Sequence, residues 1–136
     1  MRGRIVAYRI LAVDNDADTR EGLQRILSRE GYEVDLGTDG IDALEKATRI
    51  EYDLVLTDLL MPRLDGLGLL NRLKDVKPHL PVVILTAFGD WSNYARTLDL
   101  GAAAYLTKPF RIEELLERIR GILGEHTESG ISGTLP

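Results

Sequence analysis

Short apolar runs alternate with stretches of helical periodicity along most of the chain, and this alternation constrains the fold more than any other feature. Three runs are almost continuously apolar, as in strands that are covered on both faces: YRILAV (8–13), DLVLT (53–57) and PVVIL (81–85). A fourth run, YEVDLG (32–37), alternates apolar and acidic residues, which is typical of an edge strand. A weaker run, AAAYLT (102–107), predicts a fifth strand.

Each predicted strand is followed by a predicted helix. Gly31 is a suitable C-terminal stop for the first helix, and Asp90 is a suitable N-terminal cap for the fourth. The fifth helix, with Ile112 at its start, has the most regular apolar stripe. The apolar positions of the five helices are, in order, Thr19, Leu23, Ile26 and Leu27; Ala43, Leu44 and Ala47; Leu67, Leu70 and Leu73; Trp91, Tyr94, Ala95 and Leu98; and Ile112, Leu115, Leu116, Ile119 and Leu123.

Five strand–helix units in succession predict one α/β domain with three layers, α/β/α. The sheet would be parallel and five-stranded, with five helices joined to it by right-handed crossovers. We predict the strand order 2-1-3-4-5, which puts the second strand at an edge. The domain takes residues 8–123, after an N-terminal extension (1–7). Residues 124–136 have no periodicity and predict a flexible tail or a truncated linker.

The composition excludes several classes of function. The chain has no cysteine, which excludes disulfides, thiol nucleophiles and cysteine-based metal sites. Its two histidines, His79 and His126, leave little room for a site built on histidine. A net charge of −5 argues against a main role in contacting nucleic acid. No apolar stretch is long enough to span a bilayer, so we expect a cytoplasmic protein without membrane contact.

Four of the predicted strands end in polar side chains. The first strand ends at Asp14 and Asn15, the third at Asp58, the fourth at Thr86 and the fifth at Lys108. Open parallel sheets bind ligands beyond the carboxyl ends of their strands. Strands 1, 3, 4 and 5 are contiguous in the predicted order, so these groups are expected to converge on one rim of the sheet.

The stretch DNDADT, which begins at Asp14, allows other interpretations. A calcium loop would need a glycine at Thr19 and a glutamate at Arg25, so that interpretation fails. A haloacid-dehalogenase-type phosphatase would use Asp14 as nucleophile and Asp16 as general acid–base. No aspartate follows Lys108 to complete the metal site of such an enzyme. The two aspartates after Asp14 are predicted to cap and begin the first helix.

Over roughly residues 8–123 the chain resembles the receiver domain of two-component response regulators, which has the flavodoxin-like fold of the chemotaxis regulator. The resemblance rests on ILAVDND, LVLTDLLMPRLDG, VVILTAFG and AAAYLTKPF, in the family's order and at matching strand ends. It implies that Asp58 is the phosphoacceptor. The phosphoryl donor would be a sensor histidine kinase, a histidine phosphotransfer protein or a small phosphodonor. Lys108 would pair with the acid and later with a phosphoryl oxygen.

The same resemblance implies a cofactor and a switch. Mg²⁺ would be held by Asp14, Asn15, Asp58 and the backbone carbonyl of Leu60. Thr86 would bind the attached phosphoryl group, and Tyr105 would turn inward as the threonine moves. The change would be read on the surface of the fourth helix, fifth strand and fifth helix. The Lys108–Pro109 peptide bond is expected to be cis.

That output surface would act on a downstream protein or on an effector domain absent from this sequence, and a homodimer through the fourth and fifth helices is left open. On this interpretation the chain is a signalling domain and not an enzyme. Two alternatives stay open: a binding module that works without phosphorylation, and a phosphatase.

Two residues depart from the family's pattern or modify it. Asn15 stands where most receivers have a second acid, so we expect weaker magnesium binding. Phe88, two residues after Thr86, borders the phosphoryl site in the family, and we expect its ring to hinder an attacking water and prolong the phosphorylated state.

Overall fold

The computed structural model describes residues 7–87 and 91–124, and for residues 91–93 only the backbone. Strands and helices alternate five times, as predicted. Among the described helices, none is long and apolar enough to cross a membrane. The elements are β1 (Arg9–Val13), α1 (Ala17–Arg29), β2 (Glu33–Gly37), α2 (Gly40–Arg49), β3 (Leu54–Thr57), α3 (Gly66–Val76), β4 (Val82–Thr86), α4 (Trp91–Asp99), β5 (Ala104–Thr107) and α5 (Ile112–Leu123).

The five strands form one parallel sheet in the order β2-β1-β3-β4-β5, which confirms the predicted topology. Val13 at the end of β1 is in register with Gly37 on β2 and with Thr57 on β3. At the other side of the sheet, Thr86 is in register with Thr107. The strand ends are therefore level, and the residues that follow them share one rim.

Helices cover both faces of the sheet and bury two apolar cores. Residues of β1 alternate between them: Ile10 and Ala12 pack with α1 and α5, whereas Leu11 and Val13 pack with α2 and α3. Full burial of one such side chain is worth about 1.5–3 kcal/mol for the larger apolar residues. The three-layer prediction is confirmed, and β2, which has partly exposed residues along most of its length, lies at the sheet edge.

Aspartates begin the first three helices. The carboxylate of Asp16 accepts a hydrogen bond from the Thr19 backbone N–H at 3.0 Å, and Asp18 lies in the first turn of α1, as predicted. Asp39 and Asp65 cap α2 and α3 in the same way. Such caps contribute about 1 kcal/mol each and fix where a helix begins. In this protein they place each helix start just beyond the rim.

The predicted apolar stripe of α5 is confirmed at Leu115, Leu116 and Ile119, which are buried, whereas one position on α4 and one on α5 were wrong. Leu98 is 41% exposed and Ile112 is 46% exposed, although both were predicted on packing faces. α4 buries Thr97 completely instead, so the side of the helix that faces the interior is rotated away from the predicted stripe. Ile112 stands in the first turn of α5, at the end of its stripe. The predicted cap Asp90 lies outside the described residues, as does the N-terminal extension up to residue 6.

Candidate functional site

One ammonium group lies between two carboxylates on the rim. Nζ of Lys108 is 2.9 Å from Oδ2 of Asp14 and 3.7 Å from Oδ2 of Asp58. The carboxylate side chains are only 4% and 16% exposed, and that of the lysine is 26% exposed. The structure thus brings together three predicted residues that are far apart in sequence. In this contact two carboxylates share one ammonium group, which attracts both of them.

Asp14 is fixed on every side. Its backbone N–H donates to the carbonyl of Gly37 at 3.1 Å, and its Oδ1 accepts from the backbone N–H of Asp16 at 2.9 Å. The guanidinium of Arg20 donates to the backbone carbonyl of Asp14 at 2.7 Å. Sequence analysis missed Arg20, because a helix-surface arginine is ordinarily solvated and nothing in its spacing singles it out. The first carboxylate of the rim is therefore held in one orientation.

Asp58 follows β3 and is held through its backbone and one oxygen. Its N–H donates to the carbonyl of Val13 at 3.0 Å, which continues the ladder one residue past the strand. Its Oδ1 accepts from the backbone N–H of Leu59 at 2.7 Å. The other oxygen, Oδ2, points toward Lys108. One oxygen of Asp58 is thus occupied by the backbone, and the other is directed to the centre of the site.

Thr86 and Lys108 are joined through the sheet. Thr86 is the last residue of β4 and is fully buried, and its carbonyl accepts from the Lys108 backbone N–H at 2.8 Å. The peptide bond between Lys108 and Pro109 is cis, which confirms that prediction. The threonine therefore lies one strand away from the lysine, on the same rim. Phe88, proposed to act on the same site, lies outside the described residues.

Tyr105 lies on β5 with its ring directed inward. It is in register with Ile84 and is 8% exposed. The ring of Tyr94 on α4 meets it edge to face, with centroids 5.5 Å apart and an interplanar angle of 88°. Edge-to-face pairs add about 0.5–1.5 kcal/mol to the burial of the rings. In this structure the predicted switch aromatic is thus part of the contact between β5 and α4.

The segment between β3 and α3 makes an ion pair that sequence analysis did not predict. The guanidinium of Arg63 donates from Nε to Oδ2 of Asp39 at 2.8 Å and from Nη2 to Oδ1 at 3.0 Å. No local pattern indicates this pair, because its partners are 24 residues apart on different elements. The hydrogen bonds from Arg63 hold the pKa of Asp39 below its ordinary value, although burial acts in the opposite direction.

The lowered pKa of Asp39 predicts a pH effect on stability. A carboxyl whose pKa is lower in the folded state stabilises the fold above the pKa of the unfolded chain, about 3.9 for aspartate. That contribution is lost as the pH falls through the lower, folded-state pKa. We therefore expect Asp39→Asn to reduce the loss of melting temperature on acidification below about pH 4. The control is Asp75→Asn, at an exposed carboxyl of α3, which should keep the wild-type dependence of melting temperature on pH. The same loss of melting temperature below about pH 4 in both variants would contradict the prediction.

Two carboxylates of the rim, those of Asp14 and Asp58, could hold a hard divalent cation, because Mg²⁺ prefers oxygen ligands. The backbone carbonyl of Leu60, two residues after Asp58, is a further candidate ligand. Asn15 follows directly and is exposed. Among the described residues there is no group of three or more acidic, histidine or cysteine side chains that could hold a metal. A magnesium ion here would rely on two carboxylates, the neutral oxygens of the chain and water.

A separate cavity of about 370 Å³ lies at the opposite end of the sheet. Its lining includes Asp53 and Pro81, which precede β3 and β4, and Lys77, which pairs with Glu51 at 2.8 Å. Because it borders the amino ends of these strands, this cavity does not belong to the acidic rim.

Comparison with known proteins identifies relatives over most of the chain. The model of the response regulator receiver domain family matches residues 10–120. Response regulator MprA of Mycobacterium leprae is 49% identical over 115 residues, which are 85% of this chain and 50% of MprA. MprA of Mycobacterium tuberculosis is 44% identical over 118 residues, 87% of this chain and 51% of that protein. The chain spans about half the length of the curated relatives it matches.

Solved structures are similar over nearly their whole length. A CheY-like receiver domain protein from Methanospirillum hungatei superposes with a TM-score of 0.84 at 31% identity, covering 88% of this chain and 95% of the other. Response regulator TrrA from Thermotoga maritima, solved in complex with Mg(2+)-BeF, gives a TM-score of 0.78 at 33% identity, covering 85% and 98%.

Proposed function

Since the chain belongs to the response regulator receiver domain family of two-component systems, we propose that it is a phosphorylation switch whose phosphoacceptor is Asp58. The observation that carries this proposal is the position of Lys108, whose Nζ lies 2.9 Å from Asp14 and 3.7 Å from Asp58. The ammonium offsets the repulsion between the acids and stands ready to meet the charge of an incoming phosphoryl group. Desolvation of these largely buried charges can cancel the Coulombic gain of the ion pairs, so the arrangement is weak evidence for a role in stability alone.

In the proposed reaction, Oδ2 of Asp58 attacks the phosphorus of a phosphohistidine on a partner kinase or phosphotransfer protein. The phosphorus–nitrogen bond breaks as the acyl phosphate forms, and the imidazole leaves. Phosphoryl transfer needs mainly alignment and charge stabilisation. The backbone bond to Oδ1 supports the alignment, and Lys108 supports charge stabilisation. Thr86, buried on the same rim, would donate its hydroxyl to the attached group.

We further propose that Mg²⁺ assists this reaction. Asp14, Asp58 and the carbonyl of Leu60 would hold it, with Asn15 as a neutral neighbour. When bound, the ion neutralises charge on the phosphoryl oxygens. The Mg(2+)-BeF complex of TrrA, 33% identical to this chain, supports the assignment. The loss of one acid at Asn15 predicts a weaker site.

The proposed output surface comprises α4, β5 and α5. Among the side chains of this surface that the structure describes, the exposed large hydrophobic ones are Tyr94 at 36%, Leu98 at 41% and Ile112 at 46%. Tyr94 also touches Tyr105, so a movement of that ring would change the surface directly. The surface would bind a downstream protein, an effector domain or a second copy of the chain. The relatives' greater length favours an effector domain within a longer protein.

The proposal is tested by intact-mass spectrometry after incubation with acetyl phosphate across a magnesium titration. We expect a single phosphoryl adduct whose yield rises with magnesium. No adduct at any magnesium concentration would favour a binding module that works without phosphorylation. Steady turnover of generic phosphate esters would favour a phosphatase.

The Asn15→Asp variant is expected to need less magnesium for the same adduct yield. A further carboxylate next to Asp14 adds charge that offsets the dehydration of the ion. A gain of about 1.4 kcal/mol would lower the magnesium midpoint about tenfold. Asn71→Asp makes the same change on the exposed side of α3 and should leave the midpoint near that of the wild type. An unchanged midpoint in Asn15→Asp would show that Asn15 does not limit metal binding.

A further inference from the structure

The segment 58–65, between β3 and α3, contains both Asp58 and Leu60, and it is fastened to the start of α2. We propose that Arg63 is a positioning residue for the magnesium site: its bidentate pair with Asp39 fixes this segment on α2 and thereby sets where the Leu60 carbonyl lies. This inference rests on the proposed function, because it concerns the metal that the function requires.

The ion pair between Arg63 and Asp39 has a geometry that restrains the segment. Both of its contacts, 2.8 Å and 3.0 Å, run from the planar guanidinium to the two oxygens of one carboxylate. The side chain of Asp39 is only 13% exposed, and its Oδ1 also accepts the Asp42 backbone N–H at 2.8 Å as the cap of α2. The carboxylate is therefore part of the helix start, and Arg63 is tied to a rigid element.

The backbone conformation of Arg63 also supports a positioning role. Its φ of 69° is in the left-handed region, and Arg63 is the one non-glycine residue with positive φ in the described ranges. A side chain at such a position costs conformational energy that glycine would not. The bidentate pair with Asp39 is made from this conformation, so the local backbone directs the arginine side chain, which is otherwise 57% exposed, to the start of α2.

A second contact holds the next residue. A Cβ added to Gly40, the first residue of α2, would overlap the carbonyl oxygen of Leu64 and come within 2.7 Å of its Cβ. The backbone of Leu64 thus rests directly on the first turn of α2. Arg63 and Leu64 together fasten the C-terminal half of the segment to this helix.

The N-terminal half is fixed independently. Leu59 is 3% exposed, and its carbonyl accepts the Gly66 backbone N–H at 2.8 Å. Leu60 stands between this point and Arg63, and its own side chain is 49% exposed. Met61, which follows Leu60, is partly buried against the core, and its Sδ lies 3.9 Å from the hydroxyl of Thr57. Because the side chain of Leu60 contributes little anchoring, the position of its carbonyl depends on the residues held on either side, with Arg63 as the attachment to α2.

A positioning role and a purely electrostatic effect of Arg63 predict opposite changes in Mg²⁺ affinity when a neutral residue replaces it. Removing a cation near an acidic rim should tighten Mg²⁺ binding by Coulomb's law. Releasing the segment should weaken it, because a ligand atom is no longer held in place. A weaker site in Arg63→Gln therefore cannot come from the change in charge.

The test is isothermal titration of the protein with MgCl₂, without a phosphodonor. For Arg63→Gln we expect a dissociation constant higher by on the order of tenfold. Lys46→Gln is the matched control, because the ammonium of Lys46 bonds away from the segment, to Asp42 on α2 at 3.1 Å and to the carbonyl of Leu36 on β2 at 2.6 Å. Its affinity should equal or exceed that of the wild type.

Further variants separate the outcomes. Arg63→Lys keeps the positive charge but loses the planar guanidinium that makes two hydrogen bonds, so it should also weaken Mg²⁺ binding. Arg63→Gln combined with Asp39→Asn should bind no more weakly than the weaker single variant if the two residues act as one unit. Folded Arg63→Gln and Arg63→Lys proteins with wild-type or tighter affinity would overturn the inference while leaving the proposed function intact. A wild-type protein that binds no Mg²⁺ would overturn both.

Discussion

Replacement of Asp58 by asparagine is expected to abolish the phosphoryl adduct. Asparagine has nearly the same shape, and its amide oxygen can still accept the Leu59 backbone N–H that now bonds to Oδ1 at 2.7 Å. Lys108 keeps its closer partner Asp14 at 2.9 Å. The fold should therefore persist, whereas the nucleophilic oxygen directed to the centre of the rim is gone. Intact-mass spectrometry with acetyl phosphate and magnesium should detect no adduct.

The matched control is Asp65→Asn, in the same segment. Asp65 caps α3 by accepting the Gly68 backbone N–H at 2.8 Å, and asparagine caps a helix about as well as aspartate. This variant should be phosphorylated like the wild type. An adduct that survives in Asp58→Asn would place the phosphoacceptor elsewhere. Loss of the adduct in both variants would indicate general damage to the segment.

Much of the fold and the centre of the site follow from local pattern combined with topology. Nearly continuous apolar strands that alternate with helical stretches predict a parallel sheet covered by helices on both faces, and parallel strands align their carboxyl ends. The proximity of Asp14, Asp58 and Lys108 could be predicted without knowledge of side-chain packing, because each residue directly follows a strand. Their ion-pair distances of 2.9 and 3.7 Å are the physical result of that alignment.

What sequence could not predict depends on contacts between elements. Arg63 and Asp39 are 24 residues apart. From the sequence alone, an arginine and an aspartate at these positions could equally be an ion pair or two separately solvated charges. The exposure of Leu98 has the same origin: helical periodicity defines a face but not its rotation about the helix axis. On α4 the buried Thr97 shows which side faces the interior, and a hydropathy pattern ranks that residue below leucine.

The β3–α3 segment, which carries the proposed phosphoacceptor Asp58, has a backbone that leaves no room for an additional methyl group at Gly66. A Cβ there would overlap the carbonyl oxygen of Asp58 and lie 2.9 Å from Cα of Leu59. Both are backbone atoms, which cannot rotate away as a flexible side chain can. We expect Gly66→Ala to destabilise the protein by about 3 kcal/mol, since overpacking at rigid sites costs about 1–3 kcal/mol and occasionally more. Thermal unfolding would then begin roughly 10 °C lower for a domain of this size.

The same substitution in α5 provides the comparison, because a Cβ at Gly121 would have no atom within 4 Å. Gly121→Ala should stabilise the protein by about 0.5–1 kcal/mol, since alanine favours helix over glycine. At a temperature where both variants are folded, Gly66→Ala should also be phosphorylated more slowly, because the atom that its methyl group displaces belongs to Asp58. Equal stability of the two variants would refute the close backbone approach. A destabilised Gly66→Ala protein with a normal phosphorylation rate would show that the segment can change its conformation without displacing Asp58.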